Sequence, residues 1–213
     1  MPADAPLSRG VWWPAAKRGF DLALALPATV VLLPLIAVLS LWVRLDSPGP
    51  VFFRQERVGR FGASFRVWKL RTMSVEQVAG AALVTSSADA RITRCGRILR
   101  RHKLDELPQL FNVIAGQMSL VGPRPEVAKY VAHYPEDVRA IVLSVRPGLT
   151  DRAALEFRDE ERLLAQAGNP EQAYVSEILP RKLALYRRYV EDWSLMGDVK
   201  LVLETLGALA FPR

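Results

Sequence analysis

From Phe20 to Val43 the chain is apolar with a single charge, Asp21. The run is about as long as a helix that spans a bilayer. Lipid offers no partners to backbone N–H and C=O groups, so a segment that enters it must bond internally as a helix. The run is too long for the apolar core of a signal peptide, and no small-residue cleavage site follows it. A plain span meets two obstacles. Pro27 and Pro34 each remove a helix hydrogen bond and favour a kink. Lys17 and Arg18 flank one end and Arg44 the other, so the positive-inside bias does not choose an orientation. A helix broken at Pro34 could instead enter the bilayer and return to the same face. On these grounds alone the straight span and the re-entrant hairpin both stay open.

The stretch from Arg100 to Pro125 constrains the chemistry. Asp105 and Glu106 are adjacent carboxylates at an expected helix start, with Asp105 a good N-cap and Pro108 tolerated in the first turn. Leu107, Leu110, Phe111 and Ile114 recur at helical spacing, and Gly116 can end the helix. Free N–H groups and the positive end of the helix dipole would keep Asp105 ionised and attract phosphate. Arg100, Arg101 and Lys103 precede the pair, and Arg124 follows between two prolines. A carboxylate among cations suggests phosphoryl chemistry. An ordinary capped helix with a solvated basic flank is the plainer alternative.

With 213 residues the chain is long enough for one domain with a substantial core. Its formal net charge of +7 suits nucleic acid, anionic lipid or phosphorylated substrates. The membrane run favours the last two. Zinc, helix-turn-helix and RNA-binding motifs are lacking, so no nucleic-acid partner is expected. Cys95 is the single cysteine, which precludes an internal disulfide and fits a reducing cytosolic face. His102 and His133 lack metal-ligand spacing.

Residues 1–45 read as an N-terminal tail plus the membrane element, with Trp12 and Trp13 suited to the membrane interface. Residues 46–213 read as one cytosolic, membrane-associated domain. Alternation around Val51 and Phe53, and again around Phe65 and Val67, predicts a short β-hairpin. Residues 74–90 predict a loop. Helices are expected over 91–101, 105–115, 125–144 and from Pro180 to Leu209. The last carries apolar stripes that suit either core packing or a membrane surface.

Five motifs recur in a fixed order after Lys17–Arg18–Gly19–Phe20–Asp21 opens the apolar run. They are Ser47–Pro48–Gly49–Pro50–Val51–Phe52–Phe53–Arg54–Gln55; Lys69–Leu70–Arg71–Thr72–Met73; Leu104–Asp105–Glu106–Leu107–Pro108–Gln109; Gly122–Pro123–Arg124–Pro125; and Arg146–Pro147–Gly148–Leu149–Thr150. In this order the chain resembles the small monotopic phosphoglycosyl transferases, bacterial sugar transferases that start glycan assembly on a polyprenol phosphate. The likeness runs from about Lys17 to about Leu206.

The resemblance implies an α+β, mostly helical fold, with a re-entrant N-terminal helix broken at Pro34, a small β-hairpin and amphipathic interfacial helices. It implies transfer of a sugar 1-phosphate from a nucleoside-diphosphate sugar, with uridine diphosphate as the expected nucleotide, to polyprenol phosphate. Asp105 would be the nucleophile, forming an aspartyl phosphosugar. Glu106 would assist, and both would hold Mg²⁺. Arg124, Arg100, Arg158, Lys69 and Arg71 would bind substrate phosphates, and Pro147, Gly148 and Thr150 would shape a substrate loop. Membrane lipids are the implied surroundings, at the cytosolic face of the bacterial inner membrane, and a homodimer is compatible with this. The chain departs from the family in two places. Leu33 stands where a serine often precedes the kink proline. Asp151 follows Thr150 where the family commonly has glycine, which puts sugar choice beyond simple transfer from relatives. The competing class is a non-catalytic, membrane-anchored basic module that binds anionic lipid or a partner. It does not explain why Asp105, Glu106 and Arg124 occur in this order.

Overall fold

The computed structural model describes residues 12–74, 89 and 91–210. Most of the loop expected over 74–90 lies outside the described residues, as do residues 1–10 and the side chains of Trp12 and Trp13. The apolar run forms one long helix, α1 (Trp12–Asp46), with Pro27 and Pro34 inside it. Whatever bend the prolines introduce is absorbed without ending the helix. It is the one described helix long and apolar enough to cross a membrane.

The hairpin forms as expected. Strands β1 (Phe52–Val58) and β2 (Ser64–Leu70) pair antiparallel, from Phe52 opposite Leu70 to Val58 opposite Ser64. The tip carries Gly62 at φ +78 and, less usually, Phe61 at φ 58. The short helix α2 (Arg94–Arg101) is capped by the Thr93 hydroxyl, which accepts from Gly96 N at 2.9 Å. A 3-10 turn (Leu104–Glu106) leads to α3 (Gln109–Ile114), which ends at Gly116 with φ +78.

Two further strands, β3 (Ser119–Val121) and β4 (Gly148–Thr150), pair in parallel with Ser119 opposite Gly148 and Val121 opposite Thr150. Sequence patterning did not reveal them, because three residues are too few for an alternation signal. The expected helix over 125–144 is split into α4 (Ala128–Val131) and α5 (Glu136–Val142). Pro135 cannot continue the earlier turn and restricts Tyr134 before it. After β4 come α6 (Arg152–Glu156), α7 (Glu160–Ala165), α8 (Pro170–Ala173) and a π turn at Tyr174–Ile178. The final run divides into α9 (Leu179–Glu191) and α10 (Leu195–Ala210).

Among the described residues the apolar interior forms three clusters. The largest joins Tyr130, Val142, Phe157, Leu179, Leu183 and Tyr186 among the later helices. The second packs Ala25 of α1 with Val67, Leu110, Val113, Met118 and Val121. The third packs Leu39 and Val43 of α1 with Leu70, Cys95 and Leu99. Both packed segments of α1 therefore reach clusters anchored on the one strand β2, at Val67 and at Leu70. Between them Val30, Val31 and Leu33 stand exposed at 72%, 74% and 51%. An uninterrupted apolar surface of this kind marks a membrane or partner contact.

The root of α1 is tied to the body by buried polar groups. Asp21 Oδ1 accepts from Ser119 Oγ at 2.9 Å and from Leu120 N at 3.1 Å. Lys17 Nζ lies 2.7 Å from Asp198 Oδ2 and 3.5 Å from Asp21 Oδ1. Tyr189 and Trp193 also donate to Asp198, at 3.0 and 2.8 Å. Arg18 donates to the carbonyls of Val113 and Ile114, which closes the C-terminal end of α3.

Candidate active site

Glu106 is the hub of the site. Lys69 Nζ donates to its Oε1 at 2.9 Å, and Arg124 Nη1 donates to its Oε2 at 3.2 Å. Arg124 Nη2 makes a second contact with Oε1, so the guanidinium grips the carboxylate with its whole fork. Burial disfavours the charge on Glu106, but Arg124 and Lys69 outweigh it and hold the carboxyl well below its usual range. The same pairing raises the Arg124 pKa, against the desolvation of its own guanidinium.

Three segments deliver these groups. Lys69 comes from β2, whose edge is pinned by fully buried Asn112. Its Oδ1 accepts from Trp68 N, and its Nδ2 donates to Arg66 O, both at 2.9 Å. Arg124 comes from the loop leaving β3, fixed by Pro123 and Pro125 on either side. Gly122 N donates to Thr150 O at 3.0 Å, and Gly148 N to Pro123 O at 2.9 Å. The two glycines make this contact possible. A Cβ on Gly148 would lie 2.1 Å from Gly122 N. The two motifs around these glycines thus meet backbone to backbone.

Asp105 is oriented differently from the expectation. Lys103 adopts a left-handed conformation (φ 56), and Asp105 sits inside the 3-10 turn rather than capping a helix. The longer helix starts only after Pro108. Asp105 is 7% exposed, and its Oδ1 has no hydrogen-bond partner. Burial and then the neighbouring Glu106 charge push its pKa up, against the opposing pull of Lys69, Lys103 and Arg100. The expectation that a helix start keeps Asp105 readily ionised is therefore corrected. The capping N–H groups are not there, and desolvation dominates.

Of the other candidates, Arg100 on α2 lies within electrostatic reach of Asp105. Thr150 bonds Thr205 of α10 through their hydroxyls at 2.7 Å, and Pro147 O accepts from Ser119 N at 2.8 Å. Pro147, Gly148 and Thr150 therefore frame the Arg124 loop. Arg71 and Arg158 each donate to backbone carbonyls. Arg71 is 5% exposed and donates to Pro48 O, Ser47 O and Ser47 Oγ at 2.6, 2.7 and 3.0 Å, closing the end of α1. Arg158 donates to Ala208 O in α10. Pro34 lies on the exposed stretch of α1.

Sequence reading missed three groups beside the site. Asn112 was hidden in an apolar helix, where a fully buried amide was its only signal. Arg57 donates to Glu126 at 3.3 Å and to Pro125 O at 3.1 Å, which steadies the far side of the Arg124 loop. Asp151 is 2% exposed and caps α6 by accepting from Ala154 N at 2.9 Å. Burial pushes its pKa up to about 6, although Arg124 and Lys182 oppose the rise. Its signal was the departure from glycine after Thr150.

A carboxylate held by two cations, with a second beside it that keeps one unbonded oxygen, thus sits on a body that also carries a long, exposed apolar helix. The family model for bacterial sugar transferases matches residues 12–212. The chain belongs to that family. It is 38% identical over 195 residues to the UDP-glucose:undecaprenyl-phosphate glucose-1-phosphate transferase of Caulobacter vibrioides, covering 91% of this chain and 69% of that one. It is 35% identical to the Escherichia coli protein of the same name, over 89% of this chain but 39% of that one. A putative undecaprenyl-phosphate N-acetylgalactosaminyl 1-phosphate transferase of Bacillus subtilis is 41% identical over 138 residues, covering 65% of this chain and 73% of that one.

Proposed function

We propose that the protein transfers a sugar 1-phosphate from a UDP-sugar to undecaprenyl phosphate, releasing uridine monophosphate, through a phosphosugar carried on Asp105. The observation that carries this reading is the contrast within the pair. Glu106 is fully engaged by Arg124 and Lys69, while Asp105 beside it keeps a buried oxygen that no donor satisfies. An ionised Asp105 oxygen attacks the sugar-bearing phosphorus, and the bond to the bridging oxygen of the nucleotide breaks. A phosphate oxygen of the polyprenol phosphate then attacks the same phosphorus and returns the electron pair to the Asp105 carboxylate. Two displacements on one enzyme group predict ping-pong kinetics. Arg124 and Lys69 are the cations placed to take up substrate phosphate charge, with Arg124 able to bind two oxygens at once.

The residues fit Mg²⁺. The donors are carboxylate oxygens, and Asp105 Oδ1 lacks a hydrogen bond. Among the described residues no group of three or more acidic, His or Cys side chains forms a fuller cage. That suits an ion which takes one or two carboxylates plus substrate phosphates and water. Asp105 and Glu106 would hold it, and it would neutralise charge on the diphosphate.

Both ends of the apolar run pack on one body, Asp21 against Ser119 and Val43 in the cluster with Leu70 and Leu99. This supports a re-entrant placement in which α1 dips into the inner membrane and residues 46–213 stay at the cytosolic face. With Cys95 changed to serine, a cysteine at Ser8 should react with an impermeant reagent only after the membrane is opened. Reaction in intact cells would establish a crossing helix.

The activity test uses UDP-glucose and UDP-N-acetylgalactosamine, labelled in the uridine, with Mg²⁺ and undecaprenyl phosphate. Release of labelled uridine monophosphate that depends on the acceptor is expected for at least one sugar. Tight binding of the acceptor with no release from any UDP-sugar would favour a non-catalytic basic module.

A further inference from the structure

A second basic site lies at the root of α1. There a small open cleft is lined by Lys17, Asp21, Arg60, Arg146 and Tyr189, among others. Its floor is closed. Lys17 is shared between Asp21 and Asp198, and Tyr189 bonds both Val121 O and Asp198. Its mouth is not. Arg60 uses Nε to donate to Ser144 O, and Arg146 uses Nε to donate to Gly116 O, each at 2.8 Å. These bonds fix both guanidinium planes and leave their terminal nitrogens without a partner among the described residues. Neither arginine has an ion-pair partner there. Arg60 is held at a cost, since burial and the nearby Arg146 charge both lower its pKa. Two oriented, like-charged forks brought together without an anion form a receptor for one.

The place of the cleft identifies the anion's carrier. Lys17 and Asp21 flank the first residue of the apolar run of α1, so the cleft lies where that run begins. Beside Arg60, Phe61 is 75% exposed, its ring lying 4.4 Å from the guanidinium. A bulky residue at φ 58 is strained, and strain of this kind clusters at functional sites. An exposed aromatic next to paired arginines suits the boundary between head groups and acyl chains.

We propose that Arg60 and Arg146 bind the phosphate of an anionic lipid, with Phe61 lying against its acyl region, at a site separate from Glu106 and Arg124. The proposal rests on the membrane placement of α1 above, but not on the nucleophilic role of Asp105. The test uses the full chain in maltoside micelles, which carry no phosphate. An arginine-directed reagent modifies the protein, and mass spectrometry follows Arg60 and Arg146, with exposed Arg139 as control. Added phosphatidylglycerol should slow modification of both mouth arginines by about fivefold or more, the worth of roughly one cation near an anionic surface. Diacylglycerol should not. Undecaprenyl phosphate in place of phosphatidylglycerol asks whether the acceptor lipid itself uses the cleft, and protection by either lipid supports the site. Equal protection by inorganic phosphate at the same concentration would overturn a lipid-borne ligand. Unchanged rates, or equal slowing at Arg139, would overturn the site. Asp105→Asn should be protected like the wild type even where it has lost turnover, which separates this test from the reading of the active site.

Discussion

Two buried charge clusters organise this protein, and they are balanced in opposite ways. Around Lys17 there are two carboxylates and one ammonium, and neutral donors from three segments bond every carboxylate oxygen except Asp21 Oδ2. Ser119, Leu120 N, Tyr189 and Trp193 all bond to Asp21 or Asp198. Around Glu106 the cations match or exceed the acids, since Lys69 and Arg124 touch Glu106 while Lys103 and Arg100 act on Asp105. Few neutral donors take part there. An acid-rich cluster in which every carboxylate oxygen but Asp21 Oδ2 is hydrogen-bonded joins distant parts of the fold. A cation-rich cluster is prepared for a further anion. Burial separates the two only by degree, the Lys17 cluster being almost wholly enclosed and the Glu106 cluster partly open. The type of donor around each one separates them in kind.

The comparison breaks most sharply at Asp105. Asp105→Asn should lower turnover by about 10⁴-fold or more, since an amide cannot form the acyl phosphate. The fold should survive. The raised pKa of Asp105 means that its ionised form weakens the native state as pH rises through the window between the ordinary and the raised value. Asparagine removes that penalty, so the variant should melt no lower than the wild type above this window. Turnover close to wild type in a well-folded variant would end the nucleophile assignment.

Lys17→Met tests the other cluster. It leaves Asp21 and Asp198 buried without a cation, a change that costs about 3–5 kcal/mol in comparable sites. Hydrogen exchange should speed up at α10 amides, and a double Lys17→Met/Asp198→Asn variant should recover part of the loss. Protection unchanged in the single variant would mean that the neutral donors alone hold the acids.

The smallest effect is a shift of pH profile. Glu106→Gln removes the like charge that helps to raise Asp105 and frees Lys69 and Arg124 to act on it. The acid limb of kcat/KM, which requires Asp105 ionised, should therefore move to lower pH even as the maximum falls. A limb that stays in place or rises would show that Glu106 does not set the protonation of its neighbour.

The comparison also explains what was legible in the sequence. The Glu106 cluster could be read early, because its members lie in short motifs whose order is informative. Asp105 with Glu106 and the flanking prolines of Arg124 needed no tertiary knowledge to suggest a phosphate site. The hairpin from Phe52 to Leu70 was equally clear from its alternation. The Lys17 cluster was not legible, since its partners sit at Ser119, Tyr189, Trp193 and Asp198, and nothing local links them. The capping role expected of Asp105 failed for a local reason, the left-handed Lys103 that starts a tighter turn. Arg71 illustrates a different limit. Its motif resembles a substrate-facing one, yet the guanidinium meets the bare carbonyls at the end of α1, a demand visible only once that helix is seen to stop nearby. The break between α9 and α10 was missed because helical spacing holds on both sides of it, in one apolar stripe up to Trp193 and another from Val199. Only the position of Asp198 beside Lys17 and Tyr189 makes it intelligible.

The docking of the first helix has a consequence for synthesis. Asp21 bonds to Ser119 and Leu120, which lie 98 and 99 positions later in the chain. At about 5–20 residues per second, a nascent chain takes roughly 5–20 s to reach those partners, and longer to reach Asp198. Through much of that delay the root of the most apolar segment lacks its polar partners, while its exposed middle has no packing partner in the cores at all. A chaperone or the lipid surface can cover it meanwhile, so that encounter with the bilayer precedes completion of the fold. The domain then assembles around a helix that is already in place. On this account the membrane serves as the surface on which the protein matures before it becomes the place where it works.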